Sequence, residues 1–169
     1  MLFKVATLKY FFYFASENVR LNFPQKDPIY HAMSAIYWML SLVFSSALLY
    51  FMLRLLGDSG LRELWPYDYG EVTKSNMISP GMVFFLFIFI YLRHKVRAEF
   101  GTEDFYTHVK ERFSVESISS PIHRFLVHFN VFNCIAIIIT LFMEKWALLS
   151  VFCGLFILEE LWIRKRFLK

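Results

Sequence analysis

The sequence predicts an all-α integral membrane protein, with four transmembrane helices in two helical hairpins and an N-terminal interfacial amphipathic helix. Three observations lead there. Hydrophobic residues make up 57% of the 169 residues, aromatic residues 20% and charged residues only 19%, whereas a soluble domain is about 45–50% apolar and about 25% charged. A globule of this size cannot hide so much apolar surface from water, and the same composition excludes a disordered chain. Four long stretches are nearly free of Lys, Arg, Asp and Glu, and the basic residues between them alternate in number from one side to the other.

Residues 1–27 form a polar-flanked N-terminal segment. At 100° per residue, Phe3, Val5, Leu8, Phe11, Phe12, Phe14 and Val19 share one broad face, and Lys9, Tyr13, Ser16, Glu17 and Arg20 occupy the other, with Lys4 as an exception. That pattern suits a helix lying on the inner leaflet; the competing arrangement is an extra helix packed on the bundle. The apolar stretch 10–15 is too short for a secretory signal core of about 7–15 residues with its cleavage site. The first span is therefore expected to act as an uncleaved anchor.

A spanning helix needs about 20 mostly apolar residues. The first run, 32–53, follows the helix-start signal Asp27-Pro28. The second, 75–92, is dominated by Phe84, Phe85, Phe87 and Phe89; Pro80-Gly81 early in it predicts a kink or a helix start. The third span, 122–143, follows Ser119-Ser120-Pro121, a Ser cap with Pro in the first turn. The fourth, 146–163, is interrupted by Glu159 and Glu160, so a half-inserted helix is its rival; only Glu144-Lys145 separates it from the third. The transmembrane domain is thus 28–163, with a connection at 93–121 and a basic tail at 164–169. Within the connection, Thr102 can cap a short helix from Glu103 to Phe113 whose Phe105, Val109 and Phe113 line one side.

Orientation follows from the basic residues. Lys4, Lys9, Arg20 and Lys26, then Arg93, Lys95, Arg97, Lys110, Arg112 and Arg124, then Arg164, Lys165, Arg166 and Lys169 fall on one side, fourteen against four (Arg54, Arg62, Lys74, Lys145) on the other. The positive-inside bias places both termini and the middle connection in the cytoplasm. A bacterial inner membrane is the expected location. The net charge of +4 is then topological, and no nucleic-acid partner is expected.

Few residues carry candidate chemistry. His128 lies about one turn inside the third span, and ionisable groups in a membrane are functional candidates. Antiparallel helices turning at Glu144-Lys145 bring residues whose numbers sum to about 289 to equal depth. This predicts a polar cluster of Arg124, His128, Asn130, Glu159 and Glu160, either a structural ion-pair network or a proton or cation relay. Ser41, Ser45, Asn133, Thr140, Ser150 and Gly154 are small or polar positions suited to helix packing. Trp65, Tyr67 and Tyr69, around Pro66 on the outer side, suit a headgroup belt or a partner contact. Cys134 and Cys153 both sit in apolar runs without a Cys-x-x-Cys motif. No catalytic, metal-binding or cofactor-binding motif is present, and no small-molecule substrate is indicated.

The expected function is non-catalytic: a small polytopic inner-membrane protein that binds another integral membrane protein, as an accessory subunit or an immunity- or exclusion-type inhibitor, or that self-associates among the membrane lipids. The alternative is a small oligomeric transporter or proton or cation channel using the His/Glu cluster. Reporter fusions after Lys169 and within residues 58–72 should report opposite sides of the membrane; the same side for both would break the four-span arrangement.

Overall fold

The computed structural model describes residues 5–64, 80–113 and 121–167, without the side chains of 58–64, 80 and 121–124. Every regular element among these is an α-helix: α1 Ala6–Asn22, α2 Pro28–Leu64, α3 Pro80–Phe100, α4 Glu103–Phe113, α5 Pro121–Phe142 and α6 Trp146–Phe167. Three stretches, Pro28–Gly57, Phe125–Phe142 and Trp146–Phe167, are long and apolar enough to cross a membrane. Residues 75–79 of the expected second span lie outside the described residues.

The helix boundaries have local causes. Asp27 caps α2, its Oδ1 accepting the amides of Ile29 at 2.9 Å and Tyr30 at 3.1 Å, with Pro28 in the first turn where no donor is lost. Gly57 interrupts α2 at φ 66°, ψ 174°, a region open essentially to glycine alone. Between α5 and α6 the chain reverses through Glu144 at φ 56°. The amide of Lys145 bonds to Thr140 O at 3.0 Å and that of Glu144 to Leu141 O at 3.1 Å, the paired bonds of a Schellman turn. The Glu144 carboxylate pairs with Arg54 of α2. Arg54 in turn lies over the Tyr50 ring, 5.6 Å from its centroid, so the far ends of the two hairpins are tied together.

α3 does not end at Leu92, where the expected span stops. It continues through Arg93, Lys95 and Arg97 to Phe100. Leu92, Val96 and Phe100, spaced four residues apart, are 2%, 0% and 0% exposed, so one apolar face carries the helix onward while its charges point out. Thr102 Oγ1 accepts the amide of Phe105 at 3.3 Å and starts α4, whose Val109 and Phe113 are buried.

α2 packs against α3, α5 against α6, and α2 against α5, giving two adjacent hairpins. The core lies at one end, where α2 begins, α3 finishes and α6 finishes, and α1 fills it. The interfacial reading of α1 is therefore corrected. Its apolar face is buried, and so are Tyr13, Ser16 and Glu17 of the face assigned to water. The reason is a second apolar surface supplied by α3, α4 and α6: Phe12 meets Phe100 at 5.3 Å and Phe105 at 5.7 Å between ring centroids, and Tyr10 meets Phe113 and Phe167 at 5.8 Å.

The candidate spans, by contrast, have only 17%, 22% and 11% of their most apolar windows buried within the chain. Phe113→Ala, at a fully buried ring, should lower stability in detergent by about 3 kcal/mol. Phe132→Ala, on an exposed face of α5, should change it by less than about 0.5 kcal/mol. Thermal unfolding monitored by circular dichroism checks both.

Candidate functional site

Asn130, Asn133 and Glu159 gather between α5 and α6. Asn130 and Glu159 stand opposite each other, as hairpin geometry demands. The Asn130 amide donates to Glu159 Oε1 at 2.7 Å and to Leu126 O at 3.0 Å, and both side chains are buried. One turn along α5, Asn133 Nδ2 donates to Phe152 O at 3.2 Å. Among the described residues, Glu159 Oε2 and Asn133 Oδ1 have no hydrogen-bond partner.

Glu160 points to a different side of α6 and does different work. Val5, the residue preceding α1, offers no side-chain cap. The first amides of a helix have no partner within it and carry partial positive charge. Glu160 reaches them from α6: its Oε1 accepts the amide of Ala6 at 2.9 Å, and its Oε2 accepts the amide and the hydroxyl of Thr7 at 2.8 Å. Arg164, one turn on, also donates to Glu160. A single carboxylate thus caps a helix more than 150 residues away in sequence.

A second buried acid, Glu17, lies where the sequence pattern placed a solvated one. It accepts the Tyr106 hydroxyl of α4 at 2.6 Å and pairs with Arg20 one turn on. Burial, together with this bond and the adjacent Glu17 charge, pushes the Tyr106 hydroxyl up to about 12 from its ordinary 10.0. Tyr13 is raised as well, by burial first and then by the Glu17 charge.

The remaining sequence candidates are placed as follows. His128 is exposed on another face of α5 from Asn130, since two helical residues are about 200° apart; it does not join Asn130 and Glu159 in one cluster. The side chain of Arg124 and the whole of Trp65, Tyr67 and Tyr69 lie outside the described residues. Ser41, Ser45, Asn133 and Thr140 are buried. Ser41 and Thr140 satisfy their hydroxyls on the carbonyls of Tyr37 and Ala136.

Ser150 and Gly154 are the two packing candidates that meet no other helix among the described residues. Ser150 is exposed, bonding only back to Trp146 O at 2.9 Å, and a methyl group added at Gly154 would meet nothing within 4 Å. Among the described residues this face of α6 is open, and α5 covers the side bearing Phe152 and Glu159 instead. A lateral cleft of about 420 Å³ also opens between α2 and α3, lined by Leu42, Ser45, Ser46, Leu49, Gly81 and Phe85 among others.

Sequence reasoning missed Thr7, Glu17, Tyr106 and the Arg54–Glu144 pair. The spacing of Glu17 and Arg20, favourable on a helix, was the only local signal for any of them.

Glu160→Gln replaces one acceptor by a donor facing α1's own donors, and should cost about 2 kcal/mol. Glu159→Gln still offers an acceptor to Asn130 and should cost less than about 1 kcal/mol. Denaturant unfolding of the two variants side by side checks the difference. The Tyr106 shift favours the protonated hydroxyl in the fold, so its contribution is full below pH 10.0 and disappears as pH rises towards about 12. Stability curves of the chain and of Tyr106→Phe should therefore converge across that interval.

No family model, curated protein or solved structure matches the chain in the comparisons with known proteins.

Proposed function

We propose that the chain is a four-span protein of the bacterial inner membrane, with both termini cytoplasmic, that acts without catalysis by binding another integral membrane protein. An accessory subunit and an immunity- or exclusion-type inhibitor are the two forms this takes. The observation that carries the reading is the open face of α6. Ser150 and Gly154, four residues apart within a candidate span, have no helix against them among the described residues. Small residues at this spacing let two membrane helices approach closely, and lipid alone gives no reason to thin a helix there. The fourth crossing is supplied by α3, whose apolar residues 81–92 continue the run predicted from residue 75. The excess of basic residues on alternate connections supports the orientation.

The transporter alternative has less behind it. Glu160 is engaged with α1 and Arg164, Glu159 with Asn130, and His128 faces elsewhere.

Ser150→Leu and Gly154→Leu test the proposal. Ser150 is exposed and a methyl group at Gly154 meets nothing within 4 Å, so unfolding temperature should stay within about 2 °C. Recovery of the partner after mild-detergent purification from native membranes should drop sharply. Unchanged recovery with both variants would remove this face as the contact.

A further inference from the structure

We infer that the turn joining α1 to α2 is an anchor in the anionic headgroup layer at the basic end of the bundle, with Phe23 and Leu21 as its inserting side chains. These two are 50% and 62% exposed, outside any candidate span and beside a helix whose other large apolar side chains are buried.

The turn is built to hold Phe23 out, and Leu21 stands beside it on the last turn of α1. The amide of Phe23 closes α1 on Val19 O at 2.8 Å, and the amide of Lys26 bonds to Phe23 O at 2.9 Å. Phe23 is thus the first residue of a tight turn with Pro24 second, where its fixed φ is favoured. A rigid turn presents an aromatic ring with little loss of freedom on insertion.

The charge around the turn favours an anionic surface. Its acids are already engaged: Asp27 caps α2, and Glu17 is buried with Arg20 and Tyr106. The cations face outward beside aromatic rings. Lys26 Nζ is 4.7 Å from the Phe23 centroid, and Arg97 is 5.7 Å from that of Tyr30, which is itself 39% exposed. Aromatic rings with neighbouring Lys and Arg are the groups that settle at headgroup depth.

The depth agrees. The stretch Pro28–Gly57 has 30 residues, about 45 Å of helix against a hydrocarbon core of about 30 Å. The paired Arg54 marks the far boundary, so the near boundary falls close to Ser34, about 20 residues back. The turn then sits within the polar layer just beyond it.

The test uses the full chain with Cys134→Ala and Cys153→Ala, carrying a bimane fluorophore through Phe23→Cys or, as control, His108→Cys on the exposed side of α4. The protein is reconstituted in vesicles of phosphatidylcholine alone or with phosphatidylglycerol, and quenched by iodide or by headgroup-level nitroxide lipid. At position 23 we expect iodide quenching several-fold weaker than at 108 and strong nitroxide quenching, deepened by phosphatidylglycerol and reversed by Lys26→Glu. Iodide quenching equal to that at 108 would overturn the anchor. Burial indifferent to both phosphatidylglycerol and Lys26→Glu would overturn the anionic assignment. Leu21→Cys repeats the measurement should labelling at 23 disturb the turn.

Discussion

One carboxylate decides how this chain is put together. A helix that starts without a cap leaves backbone donors needing an acceptor, and burying them unpaired is costly. α1 starts in this way, and Glu160 of α6 supplies the acceptor for Ala6 and Thr7. The consequence is architectural. With its first turn fixed to α6, α1 brings Tyr10 and Phe12 against the end of α3, α4 and the end of α6. The start of α2, with Ala32, Met33, Ile36 and Tyr37, completes the same core. The first helix of the chain is thus joined to the last, while it also packs along α2.

The molecule consequently has two regimes. At the basic end, large aromatic side chains interlock around α1 and buried acids are matched to donors. Through the spans, little surface is buried within the chain and much is left for lipid or for another helix. In lipid there is no hydrophobic drive between helices, so contacts there depend on close backbone approach and on side-chain hydrogen bonds. The Asn130–Glu159 bond is one such contact inside the hairpin. Among the described residues the face at Ser150 and Gly154 carries small side chains of the kind used for such contacts.

The sequence carried much of this, unevenly. Length and apolarity gave α2, α5 and α6, and the arithmetic of a tight hairpin set Asn130 opposite Glu159, because depth along antiparallel helices is fixed by the turn. The capping residues Asp27 and Thr102 were readable for the same local reason. The position of α1 was not. A helix with one apolar face reads the same whether lipid or protein covers it, and its polar face hid Glu17 because the donor Tyr106 lies 89 residues away. α3 ran on past Leu92 because Val96 and Phe100 extend its apolar face among charges that a search for uncharged runs treats as an end. Ser150 and Gly154 were recognised as contact residues by type, but residue type does not say whether the contact lies within the chain or beyond it.

Native-state hydrogen exchange at the amides of Ala6 and Thr7, in lipid nanodiscs, tests the central claim most directly. First-turn amides of an uncapped helix exchange at nearly the rate of free chain. If Glu160 holds them, both should be protected as strongly as amides in the middle of α1, and Glu160→Ala should release them first. Exchange of both at the free-chain rate in the unmodified protein would mean that α1 is not docked on α6.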